Sequence, residues 1–328
     1  MFNRRSFLTK TAGAVSASAL GLPSIAQVGD RPLRIICPWP AGGATDVLCR
    51  HLGQRLEGTY AKTVVVENRT GASGRLGVDY VKNLDPNSNA MVIISASNFG
   101  VHPHVYRKIP YTVDDFTPVG TICDIEFCLS VGPLVPAEVK TPADLVRWVK
   151  ADPNARNRIG TPAMGSVVHF AGYRAAKAMG LDLTFVPYRG GLPLVQDVVG
   201  GHIPMAFTQV AEAHAQLPTG KLRVLGVASA ERAKVMASVP TFKELGFDAV
   251  VPEWVGFIMP AKAPMQDVMR LNAAIRAAVD TPQLRETFEK MNFKPRGKES
   301  PQEMARMMRR DYEEWGPIVK ATGFTVEE

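Results

Sequence analysis

Short apolar runs alternate along this chain with segments whose apolar residues recur every three or four positions. The runs 33–37, 62–66 and 91–95 are typical of buried strands, whereas 47–56 and 264–280 have the spacing of amphipathic helices. Strands that alternate with helices predict β-α-β units built on a parallel sheet. We therefore expect an α/β protein.

The same alternation begins again near residue 158, which predicts a second α/β unit. Two longer extended segments, 116–131 and 247–259, lie on either side of it. The first is too long for one ordinary buried strand, so we expect both segments to cross between two lobes and form a hinge. The predicted lobe 1 contains residues 27–125 and 255–328, the inserted lobe 2 contains residues 126–254, and a ligand cleft lies between them.

Helix start signals support this division. Thr141, Pro142 and Asp144 have the order of an N-cap, a first-turn proline and a capping acid. Ser300 and Glu303 form a capping-box pattern that predicts the start of the last helix. We expect the helical tail to pack back on lobe 1.

Residues 1–26 have the pattern of an export signal rather than of a folded segment. The stretch 3–8, Asn-Arg-Arg-Ser-Phe-Leu, is a twin-arginine pattern, and a weakly apolar stretch ends in Ser24-Ile25-Ala26. The alternative is an N-terminal arm without a targeting role. No later apolar segment has the length of a membrane span. The sequence therefore predicts a protein that is exported to the periplasm.

The composition is that of a packed globular protein, with 46% hydrophobic and 21% charged residues in a chain of 328. Its formal net charge is +7, but the basic residues are dispersed, which argues against a nucleic-acid partner. The four cysteines have no metal-ligand spacing, and no nucleotide-binding motif is present, so we expect neither a metal nor a cofactor. Cys37 and Cys49 flank one loop, where a disulfide and two buried thiols are both open alternatives.

Several loops follow predicted strands and therefore meet at one edge of each sheet, where ligands of open α/β sheets bind. The glycines at 42, 43 and 165 directly precede predicted helices, whose N-terminal amides attract anions. We expect these two loops to hold a carboxylate from both sides, while Asp46 fixes the first loop. The candidate ligand-binding residues are Trp39, Ala41, Gly42, Gly43, Asp46, Ser97, Asn98, Thr161, Gly165, Ser166, Val167, Arg189, Gly190 and Thr208.

An enzymatic alternative uses Ser166 as a nucleophile and His169 as its base, as in a periplasmic hydrolase. The chain has no GxSxG elbow and no acid placed to orient His169. We therefore assign no catalytic residue.

Six motifs occur in a fixed order along the chain: PWPAGGATD at 38–46, VVVENRTGASG at 64–74, VPYRG at 186–190, DVVGGHI at 197–203, GKLR at 220–223 and VPT at 239–241. Through these motifs the chain resembles the Bug-type (TctC-like) receptors, the periplasmic binding proteins of tripartite tricarboxylate transporters. The resemblance covers essentially the whole sequence after the signal. It implies a two-lobed protein that closes on a small carboxylate and delivers it to membrane transporter subunits or to a sensor. It also implies that main-chain amides and hydroxyls of the two loops bind the carboxylate.

Two departures from the family pattern refine the expected ligand. Val167 and Val168 stand where the family often has a hydroxyl residue and then a small one, which favours an aromatic or aliphatic acid. Thr208 and Gln209 stand where some family members have an acidic residue that binds the amino group of the ligand. An amino acid is therefore a less expected ligand than an acid without an amino group. We expect a monomer.

Overall fold

Two separate sheets organise the computed structural model, which describes residues 30–251 and 253–326. The predicted signal segment 1–26 lies outside the described residues. The strands are β1 (Leu33–Cys37), β2 (Val64–Asn68), β3 (Ala90–Ser95), β4 (Phe116–Ile125), β5 (Phe127–Val131), β6 (Arg158–Thr161), β7 (Thr184–Pro187), β8 (Met205–Gln209), β9 (Arg223–Val227), β10 (Glu253–Pro260) and β11 (Lys294–Pro295). The helices are α1 (Ala44–Leu56), α2 (Arg75–Lys82), α3 (His102–Val105), α4 (Pro142–Ala151), α5 (Pro153–Arg156), α6 (Val167–Ala178), α7 (Gly191–Gly200), α8 (Val210–His214), α9 (Met265–Val279), α10 (Pro282–Met291) and α11 (Pro301–Thr322).

Each sheet forms the centre of one lobe, as the sequence predicts. The sheet of lobe 1 has the order β11-β4-β10-β3-β1-β2, and that of lobe 2 has the order β7-β6-β8-β5-β9. The strands β1, β2 and β3 are parallel, as are β6, β7 and β8, whereas β4, β5 and β10 run antiparallel to their neighbours. The carboxyl ends of the parallel strands in both lobes therefore border the space between the lobes.

The two predicted crossings are present, and each is shorter than the sequence suggested. The run 116–131 divides into β4 in lobe 1 and β5 in lobe 2, with Glu126 between them. On the return, Val251 donates its amide to Ala228 of lobe 2, whereas Glu253 already pairs with Ile125 of lobe 1. The chain thus changes lobes within one or two residues. The domain boundaries themselves stay a prediction.

The long C-terminal helix α11 connects the lobes a third time. It packs along β4 and the turn 97–101 of lobe 1, where Gly100 permits a close approach: a methyl group there would lie 2.9 Å from Trp315 Cδ1. Further on, Trp315 and Phe324 contact Phe170 of α6 in lobe 2, with ring centroids 6.4 and 6.1 Å away. The expectation that the tail packs on lobe 1 is therefore incomplete.

The clusters of buried hydrophobic residues follow the same two-lobed arrangement. The largest hydrophobic cluster runs from Ile94 in lobe 1 through Trp254 and Trp315 to Phe170 in lobe 2, and it is continuous between the lobes. The outer faces of the two sheets have separate clusters. A shared apolar core and three connections thus tie the lobes together.

The predicted helix starts are confirmed. Thr141 accepts the Asp144 amide and Asp144 caps in return, and Ser300 and Glu303 do the same at the start of α11. These caps satisfy amides that the first turn of a helix otherwise leaves open.

Candidate ligand cleft

A cleft of about 360 Å³ lies between the lobes, within the range of small-molecule sites. Lobe 1 contributes the loop after β1, the residues after β3 and the start of β10, and lobe 2 contributes the loops before α6 and α7. The residues that line it are Trp39, Thr45, Ser73, Ser95, Ser97, Asn98, His102, Ile125, Phe127, Pro162, Ala163, Met164, Ser166, Val168, Gly190, Gly191, Gln209, Glu212, Glu253 and Val255.

Asp46 holds the loop after β1 in shape. Its buried carboxylate accepts the Gly42 amide at 2.9 Å, the Arg50 guanidinium at 2.9 Å and the Asn68 amide nitrogen at 2.8 Å. Burial raises the pKa of Asp46, but its contacts with Arg50, Gly42 and Asn68 outweigh burial and hold this pKa below the ordinary value. These contacts join Asp46 to its own loop and helix and to Asn68 at the end of β2, and Asp46 lies outside the residues that line the cleft.

The amides of Gly42 and Gly43 are already used within the loop. Gly42 donates to Asp46, and Gly43 donates to the Pro40 carbonyl at 3.2 Å. The expected carboxylate contacts from these two amides are therefore not offered in this conformation. The first turn of α1 carries no side-chain cap among the described residues, and Thr45 in that turn lines the cleft. Thr45 lies two or three residues beyond the glycines predicted to hold the carboxylate.

The facing loop of lobe 2 ends at the N-terminus of α6. Gly165 has a left-handed φ of +75°, which a residue without Cβ adopts readily, and it packs against Val105 of lobe 1. The Val167 side chain is fully buried, and its amide donates to the Ser97 hydroxyl at 3.1 Å. Val167 therefore contacts lobe 1 directly, and the adjacent Val168 lines the cleft in its place.

Ser166 and His169 do not form a nucleophile–base pair. The Ser166 hydroxyl donates to the Ala163 carbonyl at 2.7 Å, while His169 Nδ1 accepts the Gly165 amide at 3.3 Å. The His169 ring packs against Phe170, Phe185 and Phe324, and burial lowers its pKa to about 4. This geometry does not favour the hydrolase alternative.

The other predicted residues divide into two groups. Trp39, Ser97, Asn98, Ser166 and Gly190 line the cleft. The remaining ones lie outside the lining: Ala41 and Arg189 are exposed, whereas Thr161 and Thr208 are fully buried in their strands. Ligand contacts by the predicted residues stay a prediction.

Ser73 has an unusual backbone conformation that the sequence did not indicate. Residues 71–74 all have positive φ, and two of them, Ala72 and Ser73, are not glycine, with φ of 46° and 55°. Such left-handed residues are uncommon and concentrate at functional sites. The Tyr106 hydroxyl donates to Ser73 Oγ at 3.3 Å and contributes to holding it at the cleft.

Two acidic residues of the cleft were also not predicted from the sequence. Glu253 is 5% exposed and accepts the Ser97 hydroxyl at 3.2 Å, and Glu212 caps α8 by accepting the Gln209 amide at 3.1 Å. Burial raises the pKa of both carboxyl groups to about 7. Only the placement of strands and helices brings these two acids to one cleft.

Unpaired polar atoms collect at the same place. Asn98 Nδ2, His102 Nδ1 and Glu253 Oε2 are buried and have no hydrogen-bond partner among the described residues. Burial, followed by the nearby Arg75, lowers the pKa of His102 to about 3, so its ring is neutral. Buried polar atoms without partners are costly, and a bound ligand or water offers them partners.

Across residues 30–251 and 253–326, no cluster of His, Cys, Asp and Glu has the arrangement of a metal site. None of the helices in the same residues is long and apolar enough to cross a membrane. The four cysteines are free and buried, so Cys37 and Cys49 are thiols in this structure.

Comparison with known proteins gives consistent results. The chain is 28% identical over 323 residues to a UPF0065 protein of Pseudomonas sp. strain P51, covering 96% of this chain and 94% of the relative. It is 30% identical over 309 residues to a UPF0065 protein of Cupriavidus necator, covering 89% of this chain and 90% of the relative. BugT of Bordetella pertussis is 27% identical over 296 residues, with coverage of 89% and 90%.

Solved structures share the fold over most of the chain. A periplasmic transporter matches with a TM-score of 0.78 and 29% identity, covering 90% of this chain and 98% of that one. Rpa4515 of R. palustris, solved with adipate, matches with a TM-score of 0.79 and 27% identity, at coverage of 90% and 98%. The family model described as "Tripartite tricarboxylate transporter family receptor" matches residues 48–324. The chain therefore belongs to the family of tripartite tricarboxylate transporter receptors.

Proposed function

We propose that this protein is a periplasmic receptor that captures a small carboxylate by closing its cleft. The observation that carries the proposal is the convergence of two helix N-termini, from α1 and α6 in opposite lobes, on one cleft. Neither helix has a side-chain cap from its N-cap residue, so first-turn amides other than that of Val167, which donates to Ser97, are left for an anion. The family membership and the adipate bound to the similar Rpa4515 support the same ligand class.

Helix N-termini and hydrogen bonds provide enough free energy to bind a carboxylate without an arginine. Each helix N-terminus contributes roughly 0.3–1 kcal/mol when exposed and up to about 2 kcal/mol when partly buried. Charge-assisted hydrogen bonds, such as those from Thr45 and Asn98, contribute about 1.5–3 kcal/mol each. Several of these contacts, less the cost of association, reach about micromolar affinity.

The ligand contacts we propose are drawn from both lobes. Thr45 and Asn98 donate from lobe 1, and the first turn of α6 beyond Val167 donates from lobe 2. Trp39 and Val168 form apolar walls. This set agrees with the predicted loops but moves the donors from Gly42 and Gly43 into α1.

The receptor passes its ligand to the membrane subunits of a tripartite tricarboxylate-type transporter or to a sensor, and it works as a monomer exported by its twin-arginine signal. Replacing Arg4 and Arg5 by lysine should stop export, as measured by cell fractionation. Loss of ligand uptake in cells without the receptor supports the transporter. Normal uptake with a lost transcriptional response supports the sensor.

Ligand binding is tested with the mature chain and a panel of aliphatic and aromatic mono- and dicarboxylates in thermal-shift assays and calorimetry. A ligand at 100 times its Kd raises stability by about 2.7 kcal/mol. We expect Thr45→Val to raise Kd about tenfold. The control is Thr117→Val, because Thr117 is also half-buried but lies on β4 outside the cleft. If no carboxylate binds, or if both variants behave alike, the proposal fails.

A further inference from the structure

Within the described chain, the residues that line the cleft include two acids, Glu253 and Glu212, and no lysine or arginine. Because burial raises the pKa of both carboxyl groups to about 7, each is only partly ionised at neutral pH. Arg189, the cation expected near the ligand, is exposed and lies outside the lining. A ligand with two carboxylates would therefore place its second carboxylate beside acids, with no lysine or arginine among the described lining residues to balance it.

Glu253 has one carboxyl oxygen that is free to accept a further hydrogen bond. Its Oε1 accepts the Ser97 hydroxyl, while its Oε2 is buried and has no partner among the described residues. Glu253 is only 5% exposed and lies at the start of β10, where the chain enters lobe 1. A buried acceptor of this kind is costly unless a donor reaches it.

Glu212 occupies the place where a third helix N-terminus would take an anion. Its carboxylate accepts the amide of Gln209 and lies against the backbone of Gly191, the first residue of α7. The contact is close: a methyl group on Gly191 would lie 1.9 Å from Glu212 Cδ. The loop at Gly190, which is among the candidate ligand-binding residues, is thus already next to a carboxylate of the protein.

From this arrangement we infer that the ligand is a monocarboxylate whose far end carries a hydrogen-bond donor, either an ammonium or a hydroxyl group, accepted by Glu253 and Glu212. The inference rests on the proposed function and narrows it. The helix N-termini of α1 and α6 hold the carboxylate, and the two acids exclude a second one. Thr208 and Gln209 provide no acidic side chain for a ligand amine. In this chain Glu253 on β10 and Glu212 on α8 provide it instead.

The test uses matched acids of four, five and six carbons on the full mature chain. Each series compares the unsubstituted acid, its terminal hydroxy and amino derivatives, and the diacid, all by calorimetry. We expect a donor-bearing acid to bind at least about tenfold more tightly than the unsubstituted acid and the diacid of the same length. An ammonium ligand should show the larger preference because its hydrogen bonds are charge-assisted.

Glu253→Gln and Glu212→Gln should each reduce that preference to about threefold or less. The matched control is Glu126→Gln, because burial also raises the pKa of Glu126, but this residue lines a different pocket on the outer side of the crossing. The two variants are independent, so misfolding of one leaves the other informative. A diacid that binds as tightly as the donor-bearing acid, or a preference that both variants retain, overturns the inference and leaves the carboxylate receptor standing. Absence of binding by every acid overturns both.

Discussion

The amide of Val167 in lobe 2 donates a hydrogen bond of 3.1 Å to the Ser97 hydroxyl in lobe 1. The same hydroxyl donates to Glu253 Oε1, so one serine links the start of α6 to the strand that re-enters lobe 1. This contact joins the two lobes. Ser97 is therefore placed to stabilise the arrangement of the lobes in this structure.

Replacing Ser97 by alanine should favour the open state and raise the Kd of the ligand about tenfold, because the Val167 amide and Glu253 both lose a partner. Small-angle scattering should show less compaction at a given ligand concentration. Ser130→Ala is the control, since the Ser130 hydroxyl is equally buried but has no hydrogen-bond partner among the described residues. Equal Kd values for the two variants would contradict this role.

Asp46→Ala should lower the free energy of unfolding by about 2 kcal/mol, because it removes a buried carboxylate that three groups share. Asp46→Asn keeps an acceptor and should cost less. The measurement is urea denaturation. Asp280→Ala is the control: the Asp280 side chain is 73% exposed and pairs with Arg285 at the surface, so its loss should change stability by less than about 0.5 kcal/mol. A similar loss in both variants would argue against the role of Asp46.

The acid side of the stability profile should depend on His169. Burial lowers its pKa to about 4 from an ordinary 6.5, so the unfolded chain binds more protons between these values. Stability from the neutral ring is thus complete above pH 6.5 and falls as pH drops through 4, by about 3 kcal/mol.

His169→Phe preserves an aromatic ring among Phe170, Phe185 and Phe324 but removes the titration. The difference in unfolding free energy between wild type and variant, measured from pH 7 to pH 4, isolates this residue from the acids that titrate in the same range. We expect the wild type to lose stability relative to the variant as pH falls. A constant difference would refute the buried neutral state.

Phe324→Ala should weaken the third connection between the lobes. The Phe324 ring packs on His169 and near the Gly165 loop, so its loss leaves a gap at the start of α6. We expect about 2 kcal/mol of destabilisation and a raised Kd. Met269→Ala serves as the control because Met269 is 45% exposed on α9 in lobe 1. Unchanged ligand affinity in Phe324→Ala would confine the role of this ring to stability.

Local signals explain what could be predicted from the sequence. Helix caps such as Thr141 and Ser300 can be recognised from four consecutive residues, and apolar periodicity identifies most strands and helices. The two-lobed plan followed from the two crossing segments. Loops at strand ends also led to Trp39, Ser97, Asn98, Ser166 and Gly190, which line the cleft.

Non-local geometry explains what was missed. Glu253 reaches the cleft because β10 inserts between β3 and β4, and no pattern near residue 253 encodes that pairing. Glu212 meets Gly191 only through the packing of α8 on α7. The engaged amides of Gly42 and Gly43 depend on hydrogen bonds within the loop that composition does not reveal.

The positions of Asp30 and Val326, the first and last described residues, have a practical consequence for the use of this receptor as a biosensor. The Val326 amide pairs with the Val105 carbonyl, and Val105 faces the Gly165 loop beside the cleft. Asp30, in contrast, precedes β1 at the amino end of that strand, away from the ligand loops. A surface tether attached near Asp30 lies at the end of β1 away from the ligand loops, whereas a fluorescent reporter attached near Val326 lies beside the Gly165 loop and would report changes there.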